Sequence, residues 1–211
     1  MKNSYGMTEV RWLSRLGRGR ALMILATAVA ITAALVAIMN PIRAPASGVA
    51  NTGGTVNTKW GPLSAPDRGL LVEVRKTALW EMPTGQQAQQ HSESARVQKV
   101  GETISTQHLQ STDPDVRYVA EQLGVLIPNE PDGTQRNWLR ELSGKFGADY
   151  DKTFVQRLHA ADRKVSQLIS KVRAQTNNTL IREFSERALK IVNTHISLLE
   201  GTGLVPRRAL H

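Results

Sequence analysis

The sequence predicts an all-α fold: a four-helix bundle behind one N-terminal transmembrane helix. Three observations lead there. Residues 21–39 form an unbroken uncharged apolar run. From Asp67 onward, apolar residues recur every three or four positions in four long segments, the period of an amphipathic helix. No stretch alternates convincingly as a strand.

The apolar run reads ALMILATAVAITAALVAIM, and its only hydroxyls are Thr27 and Thr32. A helix of that length rises about 28 Å, close to the thickness of a bilayer core. Ala21, Leu22, Ile24, Leu25, Val29, Ile31, Leu35, Val36 and Ile38 would face lipid. Residues 1–20 carry Lys2, Arg11, Arg15, Arg18 and Arg20 against Glu9, a net charge of +4. Positive charge on that flank predicts a cytoplasmic N-terminal tail and a single-pass cell-membrane protein with its domain outside the cytoplasm. The rival reading is a cleaved signal peptide, with Ala44-Pro45-Ala46 as a small-residue site. Its apolar core is long for that role, so an uncleaved anchor is favoured.

Residues 40–66 are rich in Pro, Gly, Ser, Thr and Asn and predict a flexible linker. Trp60 there either meets the membrane surface or packs on the domain. The domain is expected over 67–205, with a short tail at 206–211. Its first helix spans about 67–90, with Asp67 as N-cap and the stripe Leu71, Val74, Ala78, Glu81, Gly85, Ala88. Pro83 should kink or split it. The second begins near Ser94 with Val97, Gly101, Ile104 and His108 inward, is interrupted at Pro114, and resumes to Gly124. Residues 124–133 are a loop, and Thr134 caps a short helix. The third long helix carries Tyr150, Phe154, Leu158, Ala161, Val165, Leu168 and Val172. The fourth follows Asn178, with the stripe Leu180, Phe184, Ala188, Ile191, His195, Leu198, and Gly201 is placed as a left-handed C-cap.

Polar residues on these stripes are the functional signal. Glu81, His108 and His195 occupy inward positions on helices one, two and four. Asp162 borders the third stripe, with His159 on its flank. Buried ionisable groups are costly unless paired. One reading is structural: a hydrogen-bonded network that registers the helices or, more plainly, some of the four facing solvent. The other is one divalent transition metal held by imidazoles and carboxylates, the donors of zinc, iron or copper.

Several chemistries are excluded or weak. There is no cysteine, hence no disulfide, thiolate site or lipid-modified cysteine. No histidine has a glutamate three residues before it, as di-iron bundles require. No phosphate loop or nucleophile elbow is present. The +9 net charge is partly the N-terminal tail, and no basic cluster interleaved with aromatics supports nucleic-acid binding.

The stretches LLVEVRKTALWEMPTGQQA, LGVLIPNEP, YDKTFVQRL, VRAQTNNTLIREF and THISLLEGTGLV resemble, in order and spacing, a bacterial family of domains of unknown function. The resemblance covers residues 67–205 and is nearest to actinobacterial members with one N-terminal membrane segment. It implies a ferritin-like four-helix domain in exported or membrane-anchored proteins, some labelled outer membrane proteins. The family pattern as implied by the resemblance has a glutamate in helix one and histidines in helices two, three and four. Glu81, His108 and His195 match; Asp162 stands where the third-helix histidine is usual, with His159 one turn earlier. Gln107 and Thr194 precede the matching histidines, where many members have an acidic or small residue.

The expected function is therefore a membrane-anchored extracytoplasmic domain with a non-enzymatic role, acting on an envelope protein or cell-wall polymer. The alternative is a mononuclear metal-binding domain with a redox or stress-protective role.

Overall fold

The computed structural model of the protein describes residues 54–206 and residue 209. The expected membrane segment and N-terminal tail lie outside the described residues. Among the described residues, no helix is long and apolar enough to cross a membrane.

The described chain is mainly helical. Strands β1 (Val56–Thr58) and β2 (Gly61–Leu63) come first, then α1 (Ala65–His91), α2 (Ala95–Gln107), a π-helical turn (His108–Thr112) and α3 (Asp113–Leu123). Helices α4 (Gly133–Ser143), α5 (Gly147–Gln175) and α6 (Thr179–Glu200) complete it. Because α2, the π turn and α3 are continuous, there are four long helical stretches. α1 packs on α2 and α5, α5 on α6, and α6 on α2 and α3, which closes a ring. α4 braces α1 and α5 from outside it.

The hairpin corrects two expectations at once: strands exist, and part of the expected linker, residues 56–63, forms them. β1 and β2 pair antiparallel with Thr58 opposite Gly61. The hairpin is too small to stand alone. It is tied down by the Asn178 amide, which donates to Thr58 Oγ1 and to the Gly61 carbonyl, each at 3.1 Å. The Arg68 guanidinium donates to the Leu63 and Gly54 carbonyls. Trp60 packs on the apolar core.

Helix ends differ from expectation in instructive ways. Ser64, not Asp67, caps α1; Asp67 is the third helical residue and returns the bond, completing a capping box. Asp132, not Thr134, caps α4 by the same device with Gln135. Ser94 and Asn178 cap α2 and α6, at the starts expected for those helices. Gly201 is right-handed, at φ −60°, and the left-handed glycine is Gly203, at φ 76°. The chain continues one more turn, through the Gly201 amide bonded to the Ser197 carbonyl, before reversing.

Neither proline ends its helix. α1 runs through Pro83. The missing amide leaves the Leu79 carbonyl without an intrahelical donor, and Leu79 is on a half-buried flank rather than in the core. Thr84 Oγ1 donates to the Trp80 carbonyl, and Tyr150 donates to the Thr84 carbonyl. At Pro114 the helix widens instead: the Asp113 amide reaches back five residues to the His108 carbonyl. That π turn absorbs the proline and restores α geometry beyond it.

The core divides into two apolar clusters. One gathers Leu63, Leu70, Leu71, Val74, Val116, Val119, Ile169, Val172, Ile181 and Phe184. The other gathers Trp80, Val97, Ile104, Leu142, Tyr150, Phe154, Leu158 and Leu199. Ala161, Val165 and Leu168, expected inward on α5, are half-buried, because the buried face there passes through His159, Asp162 and Ile169.

The α1–α2 crossing is set by two glycines. A Cβ on Gly85 would sit 2.4 Å from the Gly101 carbonyl oxygen, and one on Gly101 would sit 2.8 Å from the Gly85 oxygen. Both approaches involve backbone, so the helices would have to separate. Gly69, in the same helix, faces open space. We expect Gly85→Ala to destabilise the domain by about 1–3 kcal/mol through overpacking. Gly69→Ala should stabilise it by roughly 0.5–1 kcal/mol through helix propensity. Urea unfolding of both variants checks this pair of opposite signs.

Candidate metal centre

The four polar residues lie where the two apolar clusters meet. On α1, Glu81 follows Trp80 of one cluster and comes after Val74 of the other. His108 falls between Ile104 and Val116, Asp162 between Leu158 and Ile169, and His195 between Val192 and Leu199. Helical spacing on each stretch thus delivers one polar side chain to a common layer. The sequence shows the stripes but not their relative heights, which depend on loop lengths and the π turn.

The layer is closed to solvent. Glu81, Asp162 and His195 are 0 % exposed and His108 1 %. His108 Nε2 lies 2.9 Å from Glu81 Oε2. His195 Nδ1 stands 4.0 Å from Glu81 Oε2 and 3.9 Å from Asp162 Oδ1, too far for hydrogen bonds. The two imidazole rings are 5.1 Å apart, centroid to centroid. One donor atom from each of Glu81, His108 and His195 lies within 4.8 Å of the other two. His159 turns away: its Nε2 is 3.0 Å from Glu200 Oε1, at the half-exposed edge of α6. It sits beside the cluster rather than in it.

Burial favours the neutral forms of the two carboxyls and of His108. It raises the Glu81 carboxyl well above 4.5, and the neighbouring Asp162 adds to the rise. It lowers the His108 imidazole well below 6.5, and His195 adds to the fall. Burial also raises Asp162 above 3.8, while attraction to His195 and His159 pulls the other way. Both shifts favour the neutral forms of Glu81 and His108, in which the acid hydroxyl would donate to Nε2.

That pairing satisfies little of the layer. Glu81 Oε1, His108 Nδ1, both Asp162 oxygens and His195 Nδ1 are buried with no hydrogen-bond partner. An unpaired buried polar group costs about 1–3 kcal/mol. Five together rival the whole stability of a domain, about 5–15 kcal/mol. The direct hydrogen bonds within the layer thus leave most of its polar atoms unsatisfied. A divalent cation would answer part of the deficit, at the Asp162 and Glu81 oxygens and His195 Nδ1, while His108 Nδ1 would stay unpaired. It would replace the proton between Glu81 and His108, ionise both carboxylates and balance their two charges, with neutral imidazoles completing four donors. Bonds of about 2.1 Å in tetrahedral array put donors roughly 3.4 Å apart, so a pair 4.8 Å apart must close by about 1.4 Å. The buried Glu81, His108 and His195 could hold a metal, and Asp162 stands within reach of joining them.

Two features escaped the sequence. Gln107, noted in the sequence only as the residue before His108, accepts from His195 Nε2 at 2.9 Å. The π turn starts at His108 and has no distinctive residue signature beyond the proline six positions on.

With the geometry in view, comparison with known proteins gives one match. Residues 55–201 match the family described as "Domain of unknown function (DUF4142)", and the chain belongs to that family. The match begins at the hairpin, so the strands are part of the domain. No curated protein and no solved structure matches the chain.

The carboxyl of Glu81 gives a pH signature in metal-free protein. Its folded-state value is raised, so the folded chain keeps a proton that the unfolded chain releases. Its contribution is full below pH 4.5 and is lost as pH rises toward the raised value, by at most about 1.4 kcal/mol per pH unit. Glu81→Gln keeps a donor to His108 without a titrating group. In the presence of chelator, wild-type stability relative to Glu81→Gln should fall as pH rises above 4.5, as read by urea unfolding.

Proposed function

We propose that this domain is a ferritin-like four-helix bundle that binds one divalent transition-metal ion. The observation that carries the reading is the unsatisfied buried donor set of Glu81, His108, Asp162 and His195, one residue from each long helical stretch. Its mixed imidazole and carboxylate character suits zinc, iron or copper better than magnesium or calcium. A layer at most 1 % exposed admits an ion and leaves no room for an organic substrate. That favours holding a metal over acting on a bound molecule. A stress-protective role follows, in which a redox-active cation is sequestered from solvent.

The setting we propose is the outer face of the cell membrane. The apolar run 21–39, its basic flank and the Pro/Gly-rich residues beyond it support a single anchor with the domain outside the cytoplasm. An envelope protein or cell-wall polymer is the partner class such a location offers.

Metal analysis of the purified full chain tests the reading. After dialysis against zinc and removal of loose metal, about one equivalent per chain is expected. At a hundredfold excess over Kd it should stabilise the fold by about 2.7 kcal/mol. His195→Ala and Glu81→Ala should each lose the bound equivalent and the metal-dependent rise in Tm. A wild-type chain that holds no metal above background, and whose Tm ignores zinc and chelator alike, contradicts it.

A further inference from the structure

We infer that Gln107 is the positioning residue of this centre: it locks His195 in the Nε2–H tautomer and so presents the Nδ1 lone pair to the cation. The inference rests on the metal-binding reading for its ligand role, and on geometry alone for its tautomer.

A carbonyl oxygen only accepts hydrogen bonds. Gln107 Oε1 is 2.9 Å from His195 Nε2, so the proton is on Nε2. In the neutral ring, the form that can bind a cation, the lone pair is then on Nδ1. That atom is buried, has no hydrogen-bond partner, and faces Glu81 Oε2 at 4.0 Å and Asp162 Oδ1 at 3.9 Å. The ring is thus held from behind on one nitrogen and open toward two carboxylates on the other. Outer-shell acceptors of this kind orient metal-bound histidines and raise their basicity.

The backbone explains why Gln107 can do this. It is the last residue of α2, and His108 is the first of the π turn. Consecutive residues of this one stretch serve opposite neighbours: His108 meets Glu81 on α1, and Gln107 meets His195 on α6. The same stretch packs against both helices. Gln107 itself is half-buried, at the rim of the closed layer, so it can change without opening a core cavity.

Two variants of the full chain test the assignment. Gln107→Leu keeps the bulk and loses the acceptor; Gln107→Glu keeps the acceptor. The probe is Co(II), titrated by its visible ligand-field absorption. Gln107→Leu should weaken Co(II) binding about 10–100-fold and shift the absorption bands, while Gln107→Glu binds at least as tightly as wild type. In metal-free protein, nitrogen-15 NMR of the imidazoles should show His195 protonated on Nε2 in wild type and a mixed or reversed tautomer in Gln107→Leu. Wild-type protonation on Nδ1 overturns the assignment. So does unchanged Co(II) affinity and spectrum in Gln107→Leu. A wild-type chain that binds no Co(II) but shows the Nε2–H tautomer removes the metal reading, and the ligand role with it, while leaving the hydrogen bond.

Discussion

The contact between Glu81 and His108 is the constraint around which the domain is arranged. Two ionisable side chains from adjacent helices meet 2.9 Å apart with no access to water. A second carboxylate and a second imidazole complete the layer, and most of their polar atoms are unpaired. Replacing such a layer with leucine would ordinarily stabilise a helical domain. The fold instead keeps it between two apolar clusters to which each of the four long helical stretches contributes. Those clusters hold the side chains in place against their own tendency to reach solvent.

Close helix approach makes the meeting possible. The Gly85–Gly101 contact draws α1 and α2 together about one turn from Glu81. The π turn then shifts register after Gln107, so that Gln107 and His108 reach different partners and Pro114 costs no break in the stretch. Below the layer, the hairpin and Asn178 fasten the start of α6 to the start of α1. These devices are separate in sequence and converge on one result, the common height of four polar residues.

Much of this was legible from the sequence. The four helical stretches follow from their 3.6-residue periods, and every member of the α1 stripe, Glu81 included, is buried. The same period put His108 and His195 inward. Height along the stack was not legible, because it depends on how the helices are registered against each other. Asp162 was read as bordering its stripe and is fully buried, since α5 turns its His159–Asp162–Ile169 face inward at mid-length. Neither proline breaks its stretch, for a physical reason: a missing amide ends a helix only if the freed carbonyl has nowhere to go or the helix cannot widen. The hairpin was hidden because its residues are those of a linker, and its order comes from Asn178 and Arg68, more than a hundred residues away in one case. Gln107 was hidden because a glutamine has no stripe to violate.

Membership of the DUF4142 family supplies no activity, so the chemistry has to come from the buried layer. Its donors, burial and unpaired atoms together support a centre for one transition-metal ion. The most direct measurement is anomalous X-ray diffraction from a crystal of the zinc-loaded protein at the zinc absorption edge. The account predicts one strong peak about 2.0–2.3 Å from donor atoms of Glu81, His108 and His195, with Asp162 as the fourth partner. A crystal whose only zinc peaks lie at surface side chains, with the four buried groups bonded to one another or to water, would contradict it.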